Sequence, residues 1–306
     1  MVSGPSRDGA PRVAIATCAE IPLLEPDDQL LLAPLAARGI AAEPVVWDDP
    51  TVDWTGYDLV LIRSTWDYSW QRDKFLAWAH ALPNLANPAA VVAWNTDKSY
   101  LAELAAAGIP IIPTAFVHPG DAWTAPDGDG EYVVKPSISS GSRDTGRYGP
   151  GDAAQAADHV RRLQAAGRLV LVQPYLDAVD AYGETALLFF ADPGTGRLAY
   201  SHAIRKGPLL TGPHVDGADE LYKAEDITPR TPTAAELAVG EAVVANLPDG
   251  LVYARIDLIP DAAGNPHLIE LELTEPSVFL AHDPAAATRL ATAITTHLDH
   301  PHPGRS

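Results

Sequence analysis

The chain has 306 residues, 47% of them hydrophobic, and its 40 acidic against 21 basic residues leave a formal charge of −19. That length accommodates more than one core, while the acidic surplus disfavours nucleic acid and anionic lipid as partners, since both need a basic footprint. The single cysteine, Cys18, excludes an internal disulfide, no apolar run approaches the ~20 residues that span a bilayer, and the polar opening Met1 to Arg12 lacks a secretion signal. The expectation is a cytoplasmic protein acting on a small molecule, with a homo-oligomer left open.

Arg12-Val-Ala-Ile-Ala-Thr17 reads as a buried strand, and Asp27 to Arg38 has helical spacing that stops at Gly39, with Pro34 weakening one unbroken helix. Tyr57 to Arg63 is a second near-continuous apolar run, the pattern of a strand covered on both faces. Strands alternating with helices over the first 95 residues predict an open α/β unit. In such sheets ligands gather beyond the carboxyl ends of strands. Arg63-Ser-Thr-Trp-Asp-Tyr68 lies there, so Arg63, Ser64, Asp67 and Tyr68 are candidate contacts for a zwitterionic substrate.

Thr96 to Ala107 is read as helix and Pro110 to Val117 as strand. The Pro-, Gly- and Asp-rich stretch Pro119 to Gly130 marks a boundary. Beyond it come the strand Tyr132 to Lys135, a helix near Asp152 to Ala166, and strand-like runs Leu169 to Tyr175, Glu184 to Ala191 and Arg197 to Ile204. Lys206 to Thr231 has too little apolar periodicity for a packed element and reads as a mobile loop beside a site. Helix Ala234 to Asn246, two strands and helix Pro284 to Leu298 finish the chain, before a tail, His300 to Ser306, expected to be disordered.

The two late strands are the most informative. Val252 to Ile259 puts Arg255 and Asp257 on one face, and His267 to Leu273 puts Glu270 and Glu272 opposite Ile269, Leu271 and Leu273. Burying the leucines fixes the parity of pairing. Asp257 beside Glu270 then sets Arg255 beside Glu272, with all four ionisable groups on one face. Two charges ~7 Å apart at an effective dielectric of ~20 repel by about 2–2.5 kcal/mol. One arginine cannot offset three such carboxylates, so either pKa values rise or a divalent cation sits there. All-oxygen ligation by Asp257, Glu270 and Glu272 points to Mg²⁺ or Mn²⁺.

Lys135 is followed by Ser137-Ile-Ser-Ser-Gly-Ser-Arg-Asp-Thr-Gly146, whose small residues free backbone N–H groups to cradle phosphate. Gly141 and Gly146 have Walker A spacing, but Arg147 and Tyr148 stand where Lys-Ser/Thr belongs, so a P-loop fold is rejected. The order Lys98, Lys135 with its loop, Val172-Gln-Pro-Tyr-Leu176, Gly183-Glu184, Arg205-Lys206 and Arg255/Asp257/Glu270/Glu272 resembles the ATP-grasp superfamily, nearest in pattern to bacterial glutathione synthetase.

That resemblance implies an α/β chain, α+β in its C-terminal parts, with an N-terminal α/β domain (1–95) and a first segment of the ATP-grasp region (96–120). A small central subdomain (121–177) and a C-terminal subdomain with the metal site (178–306) complete it. It further implies that Lys98 and Lys135 contact ATP phosphates under a loop containing Ser139, Ser140, Gly141 and Ser142. Gln173, Pro174, Tyr175 and Leu176 hold adenine and Glu184 contacts the nucleoside. Arg205 and Lys206 meet the substrate carboxylate or γ-phosphate. Arg255, similar to its counterpart in the D-alanine ligase branch, acts with Lys135 on the charge that develops during transfer. Glu272 departs from the asparagine usual at the third metal ligand.

Arg63 to Tyr68 together with Glu270-Leu-Glu-Leu-Thr-Glu-Pro-Ser277 resembles a smaller group that includes the O-ureido-serine cyclo-ligase of D-cycloserine synthesis. This implies an ATP- and Mg-dependent ligase that activates an amino-acid carboxylate as an acyl phosphate and closes a C–N bond. A dipeptide or amino acid–amine ligase, and a non-catalytic ATP-binding regulator, stay open as alternatives.

Overall fold

A computed structural model describes residues 9–210, 212–214 and 226–299, and these form three sheets. The first is parallel, with β1 (Arg12–Thr17) between β2 (Ala41–Val46) and β3 (Leu59–Ile62). β1 beyond Arg12 and all of β3 are buried, as their apolar runs predict. The edge strand β2 is half-exposed along most of its length and escaped the sequence reading because its apolar pattern is weak. The expected helix 27–38 is instead two short ones, Pro26–Gln29 and Leu32–Ala36. Pro34 is tolerated as the third residue of the second, where a backbone N–H would lack an intrahelical partner anyway.

The second sheet is antiparallel, in the order β4 (Ala115–Val117), β7 (Val170–Pro174), β5 (Tyr132–Pro136), β6 (Gly146–Tyr148), with helix Ala153–Ala165 against it. The third runs β10 (Ile227–Arg230), β9 (Leu198–Lys206), β8 (Glu184–Ala191), β11 (Tyr253–Pro260), β12 (Pro266–Glu272) and is antiparallel throughout. β10 corrects part of the 206–231 reading: its four residues pair with β9 despite little apolar patterning, because an edge strand needs ladder bonds on one side only. Residues 211 and 215–225, and the tail from 300 onward, lie outside the described residues.

The expected strand 110–117 proves to be two. Leu268 N–H donates to Pro110 O (2.8 Å) and Ile112 N–H to Leu268 O (3.2 Å), so 110–112 edge the third sheet, whereas 115–117 join the second. The predicted helix from Thr96 likewise begins late, at Tyr100, after an unpredicted helix Ala89–Asn95. Buried Asn95 sits at its end, donating to Leu271 O and accepting from Leu273 N–H, and Asn87 does the same for Tyr253 O, Leu273 O and Val252 N–H. These side chains satisfy edge backbone groups of the last hairpin that would otherwise be buried unpaired. The first sheet's core continues into the third through Val13, Leu59, Leu188, Tyr253 and Leu290. No helix among the described residues is long and apolar enough to cross a membrane.

Candidate active site

The β11–β12 register is the expected one, Arg255 opposite Glu272 and Asp257 opposite Glu270. One detail differs. The ladder shifts after Asp257, so that Leu258 pairs with Leu268 and Ile269 is an extra residue. The bulge turns Ile269 out of the leucine face where simple alternation put it, and it lines a cavity with Glu270 and Glu272.

That cavity, of about 810 Å³, lies between the three sheets. At one end Ile112, Val133, Val179, Ile259 and Ile269 wall a slot beside Gln173, Pro174, Tyr175 and Leu176. Gln173 is held by a bond from Nε2 to Thr114 Oγ1 (2.9 Å), and Tyr175 by its backbone bond to Glu131 O (2.8 Å) and by the Arg147 guanidinium 3.6 Å over its ring. Apolar walls edged by main-chain groups suit a planar heteroaromatic ring.

In the middle, Lys98 Nζ donates to Ser139 O (2.8 Å) and pairs with Glu270 (3.0 Å). Lys135 closes β5 inside the protein, and burial brings its pKa down to about 8, with Glu270 opposing and Lys98 assisting. Ser139, Ser140, Gly141 and Ser142 line the cavity beside these lysines, with positive φ at Gly141 and Ser142. Their loop is tied to the first sheet's flank: Ser140 Oγ donates to Trp66 O (3.0 Å), and Arg143 donates to Ser69 Oγ (2.7 Å) and stacks 4.0 Å over Trp70.

On the hairpin face, Asp257 is fully buried and accepts from Arg255 Nη2 (2.9 Å) and Lys206 Nζ (2.7 Å). Burial raises its pKa, but these two cations outweigh it and hold the group low. Glu270 is likewise lowered, Lys98 and then Lys135 outweighing burial. Glu272 pairs with Arg255 yet is raised to about 7 by burial and by the neighbouring carboxylates Glu270 and Asp257. Glu184 pairs with Lys206 and burial lifts it to about 8. The charge balance therefore corrects the one-arginine premise. Lys98, Lys135 and Lys206 arrive from other strands and loops, and pKa values rise as well. Among the described residues no three such side chains converge at metal-ligand spacing, since each expected ligand is turned to a cation. The donor set itself, hard carboxylate oxygens of Glu270 and Glu272 at the cavity wall with Asp257 directly behind them, fits Mg²⁺ or Mn²⁺.

The opposite end of the cavity is walled by Trp66, Tyr68, Glu275, Phe279 and the Glu25–Leu30 segment. Of the expected substrate contacts, only Tyr68 and Lys206 line the cavity. Arg63 is sealed away, bonding Asp28 Oδ1 (2.8 Å) and Pro276 O (2.6 Å), while Ser64 Oγ donates to Asp28 Oδ2 (2.8 Å). Asp67 accepts from Trp47 Nε1 (2.9 Å) and Gln71 (3.2 Å) inside the first core. Arg205 falls on the other side of β9 from Lys206, as strand alternation requires, and donates to Tyr182 O (2.9 Å). Glu275 was missed as a site residue. It lies in the stretch Glu270 to Ser277, but Tyr68, which shares its end of the cavity, is on a distant segment and only the fold brings the two together.

Comparison with known proteins agrees with this architecture. Residues 13–89 match the family described as D-cycloserine synthetase DcsG, N-terminal domain. The cycloserine biosynthesis protein DcsG of Streptomyces lavendulae is 39% identical over 284 residues, covering 88% of this chain and 92% of that one. A crystal structure of D-cycloserine synthetase DcsG superposes with a TM-score of 0.82 at 36% identity, covering 94% of this chain and 99% of that one. D-alanyl-alanine synthetase A from Vibrio cholerae shares the fold at TM-score 0.65 and 15% identity, over 95% and 98% of the two chains. With identity of that extent over most of both chains, the chain belongs to the DcsG family of ATP-grasp ligases.

Proposed function

We propose that this ligase uses ATP to activate the carboxylate of O-ureido-D-serine and closes the ring through the substrate's own ureido nitrogen. The carboxylate takes the γ-phosphoryl group as ADP leaves, the nitrogen attached to oxygen attacks the acyl carbon, and phosphate departs. An O-ureido substrate carries a carbamoyl group that the ring product lacks, so one water is consumed in releasing it as carbon dioxide and ammonia.

The observation that carries this reading is a single cavity joining three compartments. An apolar slot at Gln173 to Leu176 takes adenine, and Lys98, Lys135 and the Ser139 to Ser142 loop take the phosphates. An aromatic and acidic end takes a small amino acid. Arg255 and Lys206 lie between the compartments, with Arg255 aimed to stabilise charge on the transferred phosphoryl and tetrahedral oxygen. Glu184 borders the nucleoside side. Asp257, Glu270 and Glu272 would hold Mg²⁺ (or Mn²⁺), which when bound neutralises the triphosphate. Positioning of the three groups by rigid strands supplies the rest of the rate.

The test is release of ADP, phosphate and D-cycloserine from ATP, Mg²⁺ and O-ureido-D-serine as sole acceptor. Equal yields of ADP and ring product are expected. Silence with this compound, alongside ADP release from pairs of amino acids, would replace the reading with a dipeptide ligase.

A further inference from the structure

Four carboxylates of the C-terminal half line the cavity and a fifth, Asp257, is buried behind its wall; four of the five already have cations. Asp257 is held by Arg255 and Lys206, Glu184 by Lys206, Glu270 by Lys98, and Glu272 by Arg255. Glu275 is the exception. It lines the cavity near the Tyr68 hydroxyl, and among the described residues no lysine, arginine or histidine lies within ion-pair distance of it. The other acids at that end are also engaged. Asp27 spends both oxygens on the N–H groups of Leu280 and Ala281 (2.7 Å each), and Glu25 Oε2 caps Asp27 N–H (2.8 Å).

A carboxyl group that shares its end of the cavity with Trp66, Tyr68 and Phe279, and that Lys98 reaches only from beyond ion-pair distance, leaves room for a cationic ligand group. We propose that Glu275, oriented by Tyr68, is the acceptor for the α-ammonium group of the amino-acid substrate. The inference rests on the acceptor end being the amino-acid compartment, as read above. Arg255 faces the same space and its guanidinium lies 5.6 Å from the Phe279 ring centroid, so the two charged ends of a zwitterion would be met by unlike groups. The substrate carboxylate is thereby directed toward Arg255 and the phosphates, and its ammonium away from them. Tyr68 acts through Glu275 as a positioning residue.

The experiment compares O-ureido-D-serine with its desamino counterpart, 3-(ureidooxy)propionate, on the full-length enzyme. KM and kcat come from ADP release, and affinity from calorimetry with a non-hydrolysable ATP analogue present. For the wild type, losing the ammonium should weaken binding about 30-fold or more, the usual cost of unpairing a buried charge. Glu275→Gln should raise KM for the amino compound by a similar factor while kcat moves less, and should leave the desamino compound unchanged. Tyr68→Phe should show a smaller rise in KM, about threefold to tenfold. Equal use of both compounds by the wild type overturns the assignment without any variant. So does a Glu275→Gln enzyme that still discriminates between them as the wild type does. If the wild type ignores O-ureido-D-serine but turns over alanine, the substrate reading fails, and the same comparison is made with alanine and propionate.

Discussion

Arg63 and Arg255 each hold a buried aspartate, yet they sit in different kinds of interior. The Arg63 guanidinium is sealed between Asp28, Pro276 O and the Tyr253 ring, and no part of it borders the cavity. Arg255 holds Asp257 just as closely, but its other contacts, Glu272 and Ser277 O, line the cavity. An ion pair with no route to solvent or ligand has one arrangement open to it. One at a cavity wall can exchange partners when a charged ligand arrives. Access, not residue type, separates a brace from a group that a ligand can reach.

The largest expected effect falls on the brace. Arg63→Leu strands Asp28 in the core and should cost about 3–5 kcal/mol of stability, because a lone buried charge is left behind. Chemical denaturation measures this, and the protein that remains folded should keep its kcat. A loss of kcat without loss of stability would make Arg63 a substrate contact after all. Glu270→Gln is the converse. Turnover should fall about 10²–10³-fold, the scale for removing one preorganised electrostatic group, with thermal stability little changed. Retained ADP release would remove Glu270 from the chemistry.

A smaller effect comes from a buried titratable group whose burial outweighs the help of nearby Asp144. His159 accepts or donates at 2.7 Å to the Tyr148 hydroxyl and stacks on His214 with ring centroids 4.8 Å apart. Burial, then the neighbouring His214, brings its pKa down to about 4. The unfolded chain takes up this proton near pH 6.5 and the folded one only near 4, so stability should decline as pH falls between those values. Melting temperatures across that window should drop for the wild type and drop less for His159→Gln. Equal slopes would show that other groups set the acid limit.

Much of this was legible in the sequence. Leucine parity narrows the pairings of the last hairpin, and Arg255, Asp257, Glu270 and Glu272 meet in the register expected among them. What one hairpin cannot reveal is who approaches it. Lys98, Lys135 and Lys206 come from a turn and two other strands, so a count of local charges overstated the imbalance. Arg63 was misread because the end of a strand locates a residue without saying which way its side chain turns. Arg205 was misplaced because the strand read as ending at Ile204 runs on to Lys206, and adjacent residues of a strand cannot both face one cavity. The double role of 110–117 was hidden because 110–112 and 115–117 take their partners from different sheets.

The extra residue at Ile269 also bears on folding fidelity. With it in place, Leu268 and Leu271 face the core while Glu270 and Glu272 do not. A hairpin that zipped one step out of phase would press a glutamate among leucines, at a cost of several kcal/mol. The acids proposed to hold the metal thus also discourage misaligned hairpins, so swapping them for neutral residues should broaden the set of structures the nascent hairpin samples.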